Sequence, residues 1–492
     1  MPLPSPLSHD SHDAISRVYE QVMSRFGGAS LTEGNEIECL HDSTENFPAW
    51  LNALKQAQDS ICIEMYIFAD DVYGTRIRDL LIEKAQSGVS VVLVYDWFGS
   101  LKQHYMGFFK PLLKAGATVH AYNRLTLANG FNLLARNHRK VLLIDQAVAF
   151  ISGLCISNQW EGNPMKGIEP WRDMGVRLKG PIVADVMAAF IDTLVAEQVA
   201  LPDAIILNSP ADYQQHGEAQ ARLIATTPST AHMMRLDLMV ISLAKKNLWL
   251  TDAYFMPTGI YMDALKRAAL AGVDVRLLVP RTSDIKWIGT VSRTLYRPLL
   301  ESGVRVFEWN GPMIHAKMAV VDSAWARVGS TNLNISSWLA NREIDVAIED
   351  PLSAQAFQQR FLEDLDNATE VVLGPSNKPE PATSRSPTAY SARASSKAGV
   401  RQAIHLGETI HSAIRGKREV SETESWAFLS LGLVLLLISL LIFMWPKILT
   451  YPLIFIGLAG AFALLSKGLS LKKHKIQQKQ TAKTNSHPHK ND

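Results

Sequence analysis

Short continuous apolar runs recur through the first three quarters of the chain, each preceded by a longer stretch with apolar residues every three or four positions. Residues 89–95 and 273–279 are too short for helices and apolar on both faces, which predicts strands buried on both sides. A glycine stands just ahead of each, Gly88 and Gly272, where a helix ends. The stretches before them, 75–86 and 260–270, have the spacing of amphipathic helices. Strand and helix therefore alternate, and an α/β fold with a mostly parallel or mixed sheet under helices is expected.

The pattern occurs twice. "SGVSVVLVYD" (87–96) parallels "AGVDVRLLVP" (271–280), and "AGATVHAYN" (115–123) parallels "SGVRVFEWN" (302–310). Two pseudo-symmetric halves are predicted, 32–200 and 217–374, joined by a connection at 201–216 and preceded by an extension at 1–31. Residues 125–137 exceed their second-half counterpart in length. With Phe131, Leu133 and Leu134 they read equally as a lid and as a plain loop insertion.

After residue 374 the composition changes. Residues 375–397 are rich in Pro, Ser and Ala and read as a flexible linker. Residues 400–418, with Ile404, Ile410 and Ile414 among basic residues, fit either an interfacial helix or a solvated weak one; the linker region as a whole is 375–425. Two runs at 426–445 and 448–465, with no interior charge, each approach the roughly 20 residues that span a bilayer. Pro446 and Lys447 separate them, and Trp426, Trp445 and Tyr451 sit at interface depth. A transmembrane hairpin at 426–465 is predicted. Lysines crowd the tail at 466–492, and Arg415, Lys417 and Arg418 flank the other end. The positive-inside rule then places the tail and the two preceding halves on the cytoplasmic side of the membrane, in a multi-pass protein. The N-terminus, "MPLPSPLSHDSHD", has no apolar core and is not expected to be a signal peptide.

Composition adds little beyond this. The 492 residues suffice for two cores. A net charge of +2 gives no sign of a polyanion partner, so nucleic acid is not expected. Cys39, Cys62 and Cys155 are odd in number, suggesting a reducing compartment or an uncrosslinked fold.

The chemistry lies in a pattern repeated with the strands. His138-Arg-Lys140-Val-Leu-Leu-Ile-Asp145 and His315-Ala-Lys317-Met-Ala-Val-Val-Asp322 share the form His-x-Lys-x-x-x-x-Asp. Two histidines brought together can act as nucleophile and general acid on one phosphodiester, through a phosphohistidine. Lysines suit the charge that grows on phosphorus oxygens. On a strand, His and Lys two apart share a face. Asp145 and Asp322 complete the catalytic motifs in sequence but fall at the strand ends, which assigns them to nearby backbone. Gly329-Ser330-Thr331-Asn332 follows the second motif, and Ser330 and Asn332 are candidates for binding phosphate. Asp173 and Glu343 are candidates for fixing the histidine tautomers.

The chain resembles the phospholipase D superfamily and, within it, the bacterial cardiolipin synthases. The likeness runs from about 34 to 374 and rests on "EMYIF" (64–68), both His-Lys-Asp motifs, "WRDMGVRLKGP" (171–181), "TDAYFMP" (251–257) and "GSTNLN" (329–334). It implies two similar α/β halves facing one site, with no metal or other cofactor. His138 or His315 would be the nucleophile, Lys140 and Lys317 would bind phosphate with Ser330 and Asn332, and Asp173 and Glu343 would orient the histidines. One departure concerns the first half, which has Ser152-Gly153-Leu154-Cys155 where the family shows a Gly-Gly-x-Asn or Gly-Ser-x-Asn turn. Cysteine is a poor substitute for an amide donor, which leaves open whether Asn158 takes its place. A second departure is the C-terminal position of the hairpin. The expected partners are the bilayer and its phospholipids, phosphatidylglycerol first. The expected reaction is phosphatidyl transfer to a second phospholipid. The alternatives are a phospholipid hydrolase or a transferase with another acceptor, then a nuclease, then a non-catalytic membrane scaffold.

Overall fold

Seven strands form each half, and they correspond one to one. The first half contributes β1 (Thr32–His41), β2 (Ser60–Met65), β3 (Ser90–Asp96), β4 (Thr118–Tyr122), β5 (Lys140–Ile144), β6 (Val148–Ser152) and β7 (Met174–Lys179). The second contributes β8 (Ala219–Thr226), β9 (Asn247–Thr251), β10 (Asp274–Pro280), β11 (Arg305–Trp309), β12 (Met318–Val321), β13 (Trp325–Gly329) and β14 (Glu343–Ile348). Two further strands, β15 (Ala368–Leu373) and β16 (Pro379–Pro381), extend the second half. The structure is a computed structural model that describes residues 9–124, 135–163, 165, 167–374 and 378–382. The rest of the linker, the hairpin, the tail and residues 125–134 of the long first-half segment lie outside the described residues, whereas Pro379–Pro381, expected to be linker, adds a strand antiparallel to β15. Among the described residues no helix is long and apolar enough to cross a membrane.

The strands join into one mixed sheet whose order is nearly palindromic: β4-β3-β2-β5-β6-β7-β1, then β8-β14-β13-β12-β9-β10-β11-β15-β16. Its centre is the antiparallel pairing of β1 with β8, where Thr32 faces Ala221. Within the first half, β2, β3 and β4 are mutually parallel, and β5 runs antiparallel to β2 with Lys140 opposite Met65. The second half repeats this: β9, β10 and β11 are parallel, and β12 runs antiparallel to β9. The C-terminal ends of the parallel strands therefore lie beside the N-terminal ends of β5 and β12, where the histidines are. The two predicted helices form as Val72–Gln86 and Gly259–Leu270.

Apolar side chains divide into three cores. One is shared by both halves: Val141, Val176, Met318 and Val346 pack there against Phe190 of the helix Ile182–Ala196 and Phe357 and Phe361 of the helix Pro351–Asp366. The other two cover the outer sides of the second and first halves. The N-terminal extension forms the helix His9–Gly27. It packs on the second half rather than the first, with Met23 in that half's core and Glu20 paired to the buried Arg222.

Asp145 and Asp322 each open a tight hairpin. Asp145 and Gln146 have φ of 50° and 51°, and Asp322 and Ser323 have 51° and 57°. The N–H of Ala147 donates to the Ile144 carbonyl at 3.0 Å and that of Ala324 to Val321 at 3.1 Å. Two successive left-handed residues make a type I′ turn, which matches strand twist, and Asp is among the few residues that enter that region readily.

Candidate active site

His138 and His315 lie just ahead of β5 and β12, both nearly buried, and each is held by a carboxylate from the opposite half. His138 Nδ1 is 2.9 Å from Glu343 Oε2, and His315 Nδ1 is 2.8 Å from Asp173 Oδ2. The main chain makes the same exchange. The N–H of His138 donates to the Arg342 carbonyl at 2.9 Å, and that of His315 to the Arg172 carbonyl at 2.6 Å. The segments ahead of β7 and β14 thus run alongside the opposite half's histidine as isolated parallel bridges. With Nδ1 engaged, Nε2 is the nitrogen left for chemistry on each ring.

Lys140 and Lys317 are also buried. Lys140 Nζ donates to the His138 carbonyl at 2.6 Å, and Lys317 Nζ donates to that of His315. Each ammonium stands over a tyrosine ring, Lys140 at 5.2 Å from Tyr66 and Lys317 at 5.9 Å from Tyr254. Tyr66 also meets His138 edge-on, and Tyr254 does the same to His315.

Burial sets the charge states. It pushes His138 below its ordinary value, with Glu343 opposing and Lys140 adding to the shift. Burial with Lys317 brings His315 down to about 3 against the pull of Asp173. Lys317 falls to about 8, chiefly through burial, and Lys140 is lowered for the same reason. Burial would raise Asp173 and Glu343, but their histidine partners outweigh it and both carboxyls lie below their usual range. Each carboxylate is thus held ionised, and it faces an imidazole on which burial disfavours the second proton. An anionic phosphodiester bound there would favour proton uptake by one ring.

The carboxylates are themselves held, differently in each half. Ser330 Oγ donates to Glu343 Oε2 at 2.6 Å and accepts from the Ile344 N–H at 2.9 Å. At the matching first-half position stands Gly153, where a Cβ would lie 2.1 Å from Asp173 Oδ1. Trp160 fills that role instead, its indole N–H donating to Asp173 Oδ2 at 2.7 Å, with its ring edge against His315.

These contacts bear on several expectations. Asp145 and Asp322 sit at the far ends of β5 and β12 and bind backbone there, as their place at the strand ends predicts. Asp145 accepts from the N–H groups of Gln58, Asp59 and Ser60 at 2.8–3.1 Å, and Asp322 from those of Lys245, Lys246 and Asn247 at 2.7–3.0 Å. Ser330, expected to bind phosphate, has its hydroxyl engaged by Glu343 and the Ile344 N–H. Asn158 does not replace the missing first-half amide, because its Oδ1 accepts from the Tyr73 N–H and its Nδ2 donates to Glu161. Asn332, the other residue expected to bind phosphate, is held less tightly. It is buried, its Nδ2 has only a 3.5 Å contact to Ser337, and its Oδ1 has no partner. Its counterpart, Cys155, is buried beside Lys140, and burial raises its thiol, so it offers phosphate little.

Sequence reasoning missed Trp160, which lies in no motif, and gave no role to Tyr66 and Tyr254, although both stand within stretches that carried the resemblance. It also missed Asp252, buried near Lys317 and raised by burial to about 6. Its two oxygens accept from the Leu333 and Tyr254 N–H groups.

Two histidines with exchanged carboxylates, two buried lysines and a repeated α/β half define a phosphodiester-transfer enzyme of the phospholipase D type. The family model for the cardiolipin synthase phospholipase D-like domain matches residues 50–163 and 238–365. The chain is 32% identical to cardiolipin synthase 2 of Bacillus cereus over 71% of its length and 68% of that protein's. It is 31% identical to the cardiolipin synthase of Alkalihalophilus pseudofirmus, over 71% of this chain and 70% of that one. The crystal structure of a phosphatidylserine synthase from Haemophilus influenzae shares the fold, with a TM-score of 0.57 and 14% identity, over 71% of this chain and 91% of that one. The chain belongs to the bacterial cardiolipin synthase family and is a phosphatidyltransferase of the phospholipase D superfamily.

Proposed function

We propose that this enzyme makes cardiolipin from two molecules of phosphatidylglycerol. His138 Nε2 attacks the phosphorus of the first. A P–N bond forms, the bond to the glycerol headgroup breaks, and the leaving oxygen takes its proton from His315. A hydroxyl of a second phosphatidylglycerol then attacks the phosphohistidine, gives its proton to His315 and releases His138. One phosphodiester is exchanged for another, so the balance needs neither nucleotide nor redox partner. Lys140, Lys317 and Asn332 hold the phosphate oxygens through both steps, and Glu343 and Asp173 keep each Nε2 in position.

The observation that carries this reading is the exchanged pair of His–carboxylate contacts, which supports both histidines acting on one phosphodiester. The runs at 426–445 and 448–465 support residence in an inner membrane with the catalytic halves facing the cytoplasm. Bilayer phospholipids are then the phosphodiesters at hand. Expression in a host lacking cardiolipin, followed by lipid analysis, tests it. Cardiolipin should accumulate. Phosphatidic acid alone would instead assign a hydrolase using the same residues. Turnover is expected to survive strong chelation, and a requirement for an added divalent ion would overturn the phosphohistidine route.

A further inference from the structure

Large apolar side chains lie open to solvent in two places that the transfer chemistry does not use, and the places correspond. One is the segment after β3, where Phe98, Tyr105 and Met106 are 59%, 69% and 74% exposed. The other is the segment after β10, where Trp287 is 60% exposed and Ile285 and Val291 stand partly out beside it. Since β3 and β10 are repeat mates, each parallel to the strand that pairs with a histidine strand, both tips emerge at the histidine end of the sheet. Each is tied to the site. The Phe98 ring has the Arg136 guanidinium 5.7 Å from its centre, two residues from His138. Asp284 accepts from the Tyr254 hydroxyl at 2.9 Å, and the Tyr254 ring abuts His315.

Their charge is one-sided. Residues 97–114 contain three lysines and no carboxylate, and Lys102, Lys110 and Lys114 are exposed. Residues 281–293 contain Arg281, Lys286 and Arg293 and one carboxylate, Asp284; Arg293 is paired with Glu308 of β11 and Asp284 is engaged by Tyr254, which leaves Arg281 and Lys286 as the excess positive charge. Exposed Trp, Tyr, Phe and Met beside lysine is the composition that enters the headgroup layer of an anionic bilayer, the aromatics at the interface and the ammonium groups near lipid phosphate. A protein seated on both tips would cover the end of the sheet at which the substrate must enter. A bilayer brings the substrate with it.

We propose that these two tips dock the catalytic halves directly on the surface of an anionic lipid bilayer, holding the histidine end against the headgroups. The proposal rests on the reading that the substrate is a bilayer phospholipid, and it assigns membrane contact to the catalytic halves themselves, beyond any anchoring by the C-terminal apolar runs. The full chain, reconstituted into vesicles containing phosphatidylglycerol, provides the test. Met106→Cys and Trp287→Cys variants are labelled with an environment-sensitive fluorophore, with Leu270→Cys as control. Leu270 is exposed but ends the helix before β10, at the opposite end of the sheet. The labels at 106 and 287 should be quenched by spin-labelled lipid and shielded from iodide, and the label at 270 should show the reverse. The shielding should weaken in vesicles of zwitterionic lipid alone.

Iodide access at 106 and 287 equal to that at 270 would overturn the proposal. So would shielding without lipid quenching, which would mean that a protein or a second copy covers the tips. A combined Tyr105→Ser, Met106→Ser, Trp287→Ser variant should lose about tenfold or more in turnover on vesicles while keeping turnover on monomeric short-chain phosphatidylglycerol. Equal loss on both substrates also overturns it. If the unsubstituted chain turns over neither lipid, the proposed reaction fails, and the label positions still decide the surface.

Discussion

The indole N–H of Trp160 and the hydroxyl of Ser330 perform one task with different chemistry, and removing each should move a different limb of the pH profile. Without Trp160, Asp173 becomes more basic and pulls harder on the His315 proton, so the His315 pKa rises. With His315 as general acid, Trp160→Phe should shift the alkaline limb to higher pH. Turnover should fall about tenfold, the scale of a lost hydrogen bond to a buried charge, with KM little changed. Ser330→Ala frees Glu343 in the same way and raises the His138 pKa. A nucleophile must be unprotonated, so its acid limb should move up. Shifts on the opposite limbs would reverse the roles of the two histidines, and unmoved limbs would reduce both residues to packing. The limbs themselves report the coupled pair rather than either ring alone. At this scale the sequence was legible where a residue type is demanding: the histidines, lysines and carboxylates stand together in the structure. Trp160 was hidden because its role arises from the space that Gly153 leaves beside Asp173, which no local pattern encodes.

Among the elements, the histidine hairpins carry the clearest division of labour. The N-terminal end of β5 or β12 presents His and Lys, while the Asp five residues on closes the turn and gathers three backbone N–H groups from the start of the neighbouring strand. Asp145→Ala and Asp322→Ala should each lower stability by about 1–2 kcal/mol, the scale of one half-buried backbone donor losing its acceptor, two exposed ones turning to water, and alanine held at positive φ. Thermal unfolding would show this, while turnover below the melting range should stay near that of the unsubstituted chain. A loss of turnover in protein that remains fully folded would return these carboxylates to the chemistry. Strand parity made this visible in advance, because the apolar runs fix which side chains face together and where the strand must end. The repeats at 87–96 and 271–280 were legible for the same reason and became β3 and β10. Strand order was not, since the pairing of β1 with β8 brings together residues 32 and 221, a separation that no local pattern records.

At the level of the whole molecule, the two halves should be inseparable in one chain. His138→Ala and His315→Ala should each abolish turnover, and an equimolar mixture of the two proteins should regain none. Recovery in the mixture would show a site assembled between chains. Removing everything after residue 424 should leave a folded enzyme that keeps its rate on short-chain lipid in detergent and loses much of it on vesicles, because the apolar runs supply nearness to lipid rather than catalytic groups. Equal loss on both would make those runs part of the active fold. The composition change after residue 374 marked the end of the sheet only roughly, since Pro379–Pro381 still pairs with β15. The exchange of carboxylates across the halves was not legible, because residues 171–173 and 341–343 carry no mark of which histidine they serve.

That exchange makes the site an all-or-none device. A sliding or opening of one half against the other would break both His–carboxylate contacts and both main-chain bonds together, since each runs across the same seam. Neither histidine can be mispositioned alone by such a motion. A loosened molecule would therefore lose the nucleophile and the proton donor in one step, and would not remain half-competent, able to cleave a lipid yet unable to complete the transfer.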